Sequence, residues 1–138
     1  MVKDFVTYEQ ALELSNYGFN DRCFGWYYKS ISFSIEYLNL EYNHNFTTQE
    51  SLELFDYRRG DLPCPTYSQA FRWLREKHGL EHQITYAGAK GRYNAFTDDW
   101  IYDSEGKLKE FTYEEAESAC LDNLLKKLKI KFYETIKS

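Results

Sequence analysis

Arg22, Arg58, Arg59, Arg72 and Arg75 stand near Trp26, Tyr57 and Trp73 in the sequence or in its expected folding. A guanidinium beside an aromatic ring can stack on a nucleotide base and pair with its phosphate. The same combination anchors protein–protein interfaces. The bland reading is surface arginine with aromatic stems packed beneath it. Trp26, Tyr28, Arg58, Arg59, Arg72, Trp73, Arg75 and Trp100 form the candidate binding set. A second constellation, Asp98, Asp99 and Asp103, surrounds Trp100. Paired carboxylates can hold a cation or move a proton. No Gly and Glu follow at the spacing of a calcium loop, so they read as turn residues on a solvated edge. His78 and His82 lie four apart, a spacing that puts two metal ligands on one helix face. Gly79 interrupts that helix and no third ligand is near, so we expect no metal and no cofactor.

Other chemistry is excluded by pattern. The chain has no G-x-S-x-G, P-loop or H-E-x-x-H motif. Gly88-Ala89-Lys90-Gly91 matches the G-x-x-G loop of some RNA-binding modules, but that loop needs a helix on each side. Here the flanks read as strands, and the segment reads as a hairpin turn. No catalytic constellation remains, and the chain is expected not to be an enzyme.

The elements that must position these residues are marked by a repeated phrase. Thr7-Tyr8-Glu9-Gln10-Ala11, Thr66-Tyr67-Ser68-Gln69-Ala70 and Thr112-Tyr113-Glu114-Glu115-Ala116 each fit a capping box, with Thr bonding forward and Gln or Glu bonding back. The first helix is expected over about 8–17, with Ala11, Leu12 and Ser15 lining one side and Gly18-Phe19 closing it in a Schellman ending. Residues 23–28 read as a strand. Ile31, Phe33, Ile35 and Tyr37 alternate with polar residues, a second strand. Residues 39–50 read as a loop, Leu52–Phe55 as a short strand or, less favoured, one helical turn, and Arg58–Asp61 as a turn. The second helix covers about 67–78, its inner stripe Tyr67, Ala70, Phe71 and Leu74, with Trp73 on the half-exposed flank. Short strands follow over about 82–86, 92–96 and 100–102. The longest helix runs from Tyr113 to about Tyr133 with Ala116, Cys120, Leu121, Leu124 and Leu128 inward. The order helix, strands, helix, strands, helix predicts an α+β fold: an antiparallel sheet with about three helices packed on it, in one domain spanning 1–138.

Composition limits the partners. The chain has 138 residues, 43% of them hydrophobic and 28% charged, which is globular in character. No apolar run approaches a membrane span and the N-terminus lacks a signal-peptide core, so a cytoplasmic protein without membrane contact is expected. Cys23, Cys64 and Cys120 form no C-x-x-C pair and read as reduced thiols, Cys120 in the core and Cys64, between two prolines, exposed. Net charge is −5, yet the last thirteen residues hold Lys126, Lys127, Lys129, Lys131 and Lys137 against Glu134 alone. The rest is therefore strongly acidic, which argues against nucleic acid as a partner. Aromatics make up 19%, including thirteen tyrosines, and point to an exposed contact patch.

The stretch Pro65-Thr66-Tyr67-Ser68-Gln69-Ala70-Phe71-Arg72-Trp73-Leu74-Arg75-Glu76-Lys77-His78-Gly79-Leu80 is one of three distinctive segments. The others are Tyr113–Leu121 and the order Gly18-Phe19 then Cys23–Tyr27. Together they resemble a family of short uncharacterised proteins of phages and prophages of gut bacteria, over most of the chain apart from 36–58. The resemblance implies a mobile-element origin and no catalytic residues. Small phage accessory proteins often bind a host protein, including defence systems. Two functions follow as expectations: a binding protein that inhibits a host defence protein such as a CRISPR effector, or a protein that sequesters a small ligand such as a nucleotide.

Overall fold

The computed structural model describes residues 2–21, 23, 25–29, 36–40 and 62–137. The expected features at 30–35, 41–50, Leu52–Phe55 and Arg58–Asp61 lie outside these residues. Among the described residues there are three α-helices, α1 (Tyr8–Asn16), α2 (Tyr67–His78) and α3 (Tyr113–Lys137). They are accompanied by five strands: β1 (Gly25–Lys29), β2 (Glu36–Leu40), β3 (Leu62–Cys64), β4 (Gln83–Tyr86) and β5 (Tyr93–Phe96). The fold is α+β with the expected element order. Its strands form two antiparallel sheets, β2-β1-β3 and β4-β5, rather than one. Asn39 and Leu40 belong to β2, so the strand reaches two residues into the segment read as loop. The chain contacts group into two compact units, Met1–Ser68 and Gln69–Ser138.

In the first unit, α1 begins with a reciprocal capping box. Gln10 N donates to Thr7 Oγ1 at 3.2 Å, and Thr7 N donates to Gln10 Oε1 at 2.9 Å. It ends in a Schellman motif: Phe19 N bonds Leu14 O at 2.9 Å and Gly18 N bonds Ser15 O at 3.1 Å. Gly18 sits at φ +100, and Phe19 folds back to bury itself with Leu14. A Cβ at that φ is strained. Gly18→Ala is therefore expected to cost about 1–2 kcal/mol, read as a lower urea midpoint. The buried face of α1 runs through Gln10, Ala11 and Leu14, and Leu12 points out, which corrects the expected inner face. Gln10 is drawn inward because its Oε1 accepts the Tyr67 hydroxyl at 3.1 Å.

β1 is the central strand, paired antiparallel with β2 (Gly25 opposite Leu40) and β3 (Gly25 opposite Cys64). The segment before α1 is tied to the end of β3. Phe5 bridges Thr66, and Val6 N donates to Pro65 O at 3.1 Å. The Val6 carbonyl accepts two side-chain donors, the Tyr27 hydroxyl at 3.2 Å and the Cys64 thiol at 3.3 Å. A buried carbonyl has two lone pairs, and both are used here.

The helix α2 spans the expected residues, its first two in the first unit and the rest in the second, with Ala70, Phe71 and Leu74 buried. Gly79, at φ +66, closes it through Gly79 N to Arg75 O at 3.1 Å. β4 and β5 form a hairpin across Gly88–Gly91, as the flanking strand patterns predicted. The chain then doubles back: Phe111 exchanges two backbone bonds with Tyr93, and Ile101 N bonds Ala95 O at 3.0 Å. The 100–111 ribbon thus extends the hairpin. α3 opens with a second reciprocal capping box, Thr112 with Glu115 at 2.8 and 3.2 Å. Its stripe Ala116, Cys120, Leu121, Leu124 and Leu128 is fully buried, and it packs against β4 and β5. The helix continues four residues past Tyr133, to Lys137. Among the described residues no helix is long and apolar enough to cross a membrane.

Candidate functional site

Two residues of the expected binding set are buried. Trp26 is 1% exposed and Trp73 6%, so both indoles are core residues. The half-exposed flank expected for Trp73 is corrected by its neighbours. Its ring meets His78 edge-on at 4.8 Å, and His78 leans on Phe132 of α3 at 5.9 Å. A buried Trp73 offers no ring face on which Arg72 or Arg75 could help stack a base. Arg72 is exposed and pairs along its own helix with Glu76 at 3.0 Å. Such an exposed i,i+4 pair is screened by solvent and adds little to stability. Arg75 is exposed on the same helix. Trp100 is half-buried against Phe96, centroids 5.1 Å apart. The backbone of Tyr28 lies in β1, and Arg58 and Arg59 lie outside the described residues.

Two of the three carboxylates around Trp100 serve the local chain. Asp99 accepts from Trp100 N at 2.8 Å, and Asp103 accepts from Glu105 N and Lys107 N, both at 2.9 Å. Asp98 pairs with Lys127 at 2.6 Å. The turn bonds are as expected, whereas the ion pair to Lys127 of α3 was not part of that expectation. The two histidines pack as rings: His82 stacks on Phe71 at 3.6 Å, while His78 sits between Trp73 and Phe132. Burial lowers the pKa of both, and Lys131 and Arg75 respectively push in the same direction. Among the described residues no three His, Cys, Asp or Glu side chains group to hold a metal ion.

Cys23, Cys64 and Cys120 are buried and lie outside any disulfide. Cys64 is fully buried, which corrects its expected exposure. The prolines beside it do not place it in an open loop, because it closes β3 against the central strand. Burial pushes the Cys120 thiol up to about 11 from 9.0. Burial, then the neighbouring Cys23, pushes Cys64 up, and burial, then Cys64, pushes the Tyr27 phenol up. In the unfolded chain these groups lose protons first as pH rises, so the native state holds more protons in that window. Stability is therefore expected to be insensitive to the thiols below about pH 9 and to fall from there towards pH 11. Urea midpoints taken across that range check the sign.

Among the described residues, the exposed aromatic side chains are tyrosines of the second unit. Tyr86 and Tyr93 are opposite each other in the hairpin, rings edge-to-face at 6.1 Å. Tyr93 in turn meets Tyr113, the first residue of α3, edge-to-face at 5.3 Å. The outer two rings are 62% and 47% exposed. Cations flank the ladder. Lys109 lies 5.1 Å from the centroid of Phe111, which is paired with Tyr93. The Thr112 backbone and hydroxyl hold Glu115 below the usual carboxylate range, and Lys109 and Arg92 add to that pull. Tyr86, Tyr93 and Tyr113 were absent from the expected set. The signal was present, since Tyr86 stands two residues before Gly88 and Tyr93 two after Gly91, which sets them opposite in any hairpin over that turn.

The ladder can present stiff, half-polar rings with hydroxyl tips, beside two cations. That suits a polypeptide surface, where Tyr supplies contact area at low entropy cost and a hydrogen bond at its edge. In comparisons with known proteins, no family model, no curated protein and no solved structure matches this chain.

Proposed function

We propose that this chain is a binding protein whose contact surface is the Tyr86–Tyr93–Tyr113 ladder with Arg92 and Lys109 beside it. Its partner is a host protein, and its role is to inhibit a host defence protein such as a CRISPR effector. The observation that carries the reading is the ladder: three tyrosines pre-set in edge-to-face contact, with the outer two open to solvent. Pre-set rings lose little freedom on binding, so their contact area is retained as affinity. The acidic balance of the chain suits a basic channel of the kind a nucleic-acid enzyme presents. The resemblance to phage and prophage proteins supplies the host setting.

The test is capture from host lysate with the wild-type chain and with Tyr86→Ala. Tyr86 is the most exposed ring of the ladder, so its truncation leaves the fold intact. The expected result is one captured protein whose affinity falls at least about tenfold in the variant, as at an interface hot spot. Equal capture by both would sink the reading. A nucleotide-induced thermal shift that survives Tyr86→Ala would favour the small-ligand alternative.

A further inference from the structure

The outward side of α3 carries a segregated charge pattern. Its charged residues before position 126 are Glu114, Glu115, Glu117 and Asp122, all acidic. From Lys126 onward it holds five lysines and Glu134. Ala116, Cys120, Leu124 and Leu128 face the core. On the opposite side, Glu115, Asp122, Lys126, Lys129, Ile130 and Tyr133 recur at spacings of three, four and seven, and all are exposed. Ile130 is 58% exposed, Tyr133 62% and Ile136 82%. Apolar side chains this open on one helix end mark a surface that is covered by something.

We propose that a second copy of this chain docks along this face, with the two α3 helices antiparallel about a two-fold axis. The charges dictate the direction. An antiparallel pair sets Asp122 of each copy beside Lys126 and Lys129 of the other, and the two-fold repeats the contact. A parallel pair would set acid against acid and base against base. Antiparallel helices also place the positive end of each macrodipole near the negative end of its neighbour. Ile130, Tyr133 and Ile136 gain cover in the same step. At 1.5 Å per residue the helix is roughly 37 Å long, enough to support a standard interface. An anionic membrane would attract the lysines but repel Glu115 and Asp122 on the same face. A second copy satisfies both halves. This inference is independent of the tyrosine ladder.

Sedimentation velocity on the full chain tests it, at low and high salt and across micromolar concentrations. The expected species is a dimer that weakens as salt rises. The variant Lys126→Glu with Lys129→Glu should weaken the dimer by roughly a hundredfold, because like charges then meet at both ends. Asp122→Lys alone should do the same. Mixed together, the two variants should restore a heterodimer, since each then meets its opposite; circular dichroism confirms that each is folded. A wild-type monomer under all conditions would overturn the proposal, whether or not it binds anionic vesicles. So would a dimer indifferent to these reversals, or a mixture that stays monomeric.

Discussion

Trp26→Ala is expected to destabilise the protein by about 3–5 kcal/mol. Trp26 is 1% exposed and sits in the central strand of its sheet, with Asn39 opposite on one side and Pro63 on the other. Removing the indole leaves a cavity that the sheet cannot close, because both neighbouring strands are tied to β1 by backbone bonds. The strand order places this residue in the middle of the three-stranded sheet, so the loss is felt by both flanking strands. Equilibrium urea denaturation followed by far-ultraviolet circular dichroism reads the effect. Trp26→Phe should lose much less, since most of the volume stays. Loss of partner capture in Trp26→Ala would then reflect unfolding rather than a missing contact. A variant within about 0.5 kcal/mol of wild type, the range of a surface change, would mean that the indole is not in the core.

Leu124→Ala is expected to cost a similar amount, about 3–5 kcal/mol, in the second unit. Leu124 is fully buried at the middle of the α3 stripe, with Cys120 and Leu121 before it and Leu125 and Leu128 after it. Alanine is the better helix former, so the loss cannot come from propensity and must come from packing. Leu124→Met keeps the volume and should stay under about 1.5 kcal/mol. A denaturation series on the three proteins separates the two causes. Equal losses in the Ala and Met variants would contradict a cavity-dominated account.

The helices were legible because their signals are local. Thr7 with Gln10 and Thr112 with Glu115 form the boxes their spacing promised, and Gly18 and Gly79 close helices where φ must turn positive. The inner stripes of α2 and α3 follow from a period of 3.6 residues. What was not legible depends on distant partners. Leu12 lost the inner face of α1 to Gln10, whose amide meets a hydroxyl 57 positions away. Trp73 is buried through His78 and Phe132, a contact from another helix that no local period encodes. Cys64 is buried because β3 pairs with β1, across a sequence gap that neighbouring prolines disguise.

Two tryptophans of the candidate set are buried for a related reason. Trp and Arg are interface anchors by type, while the fold uses two of the three indoles in that set, Trp26 and Trp73, as core volume and leaves Trp100 half-buried. Among the described residues the open aromatics are tyrosines, whose hydroxyl tips tolerate water. Their assembly into a ladder needed only the hairpin register for Tyr86 and Tyr93. The addition of Tyr113 needed the packing of α3 on that hairpin, which is tertiary information.

The most direct test of the binding surface is hydroxyl-radical footprinting of the protein alone and in complex with its captured partner. The account predicts that oxidation of Tyr86 and Tyr113 falls sharply in the complex, while buried Trp26 and Trp73 stay unreactive in both states. Full reactivity of Tyr86 and Tyr113 in the complex, with protection elsewhere, would contradict it.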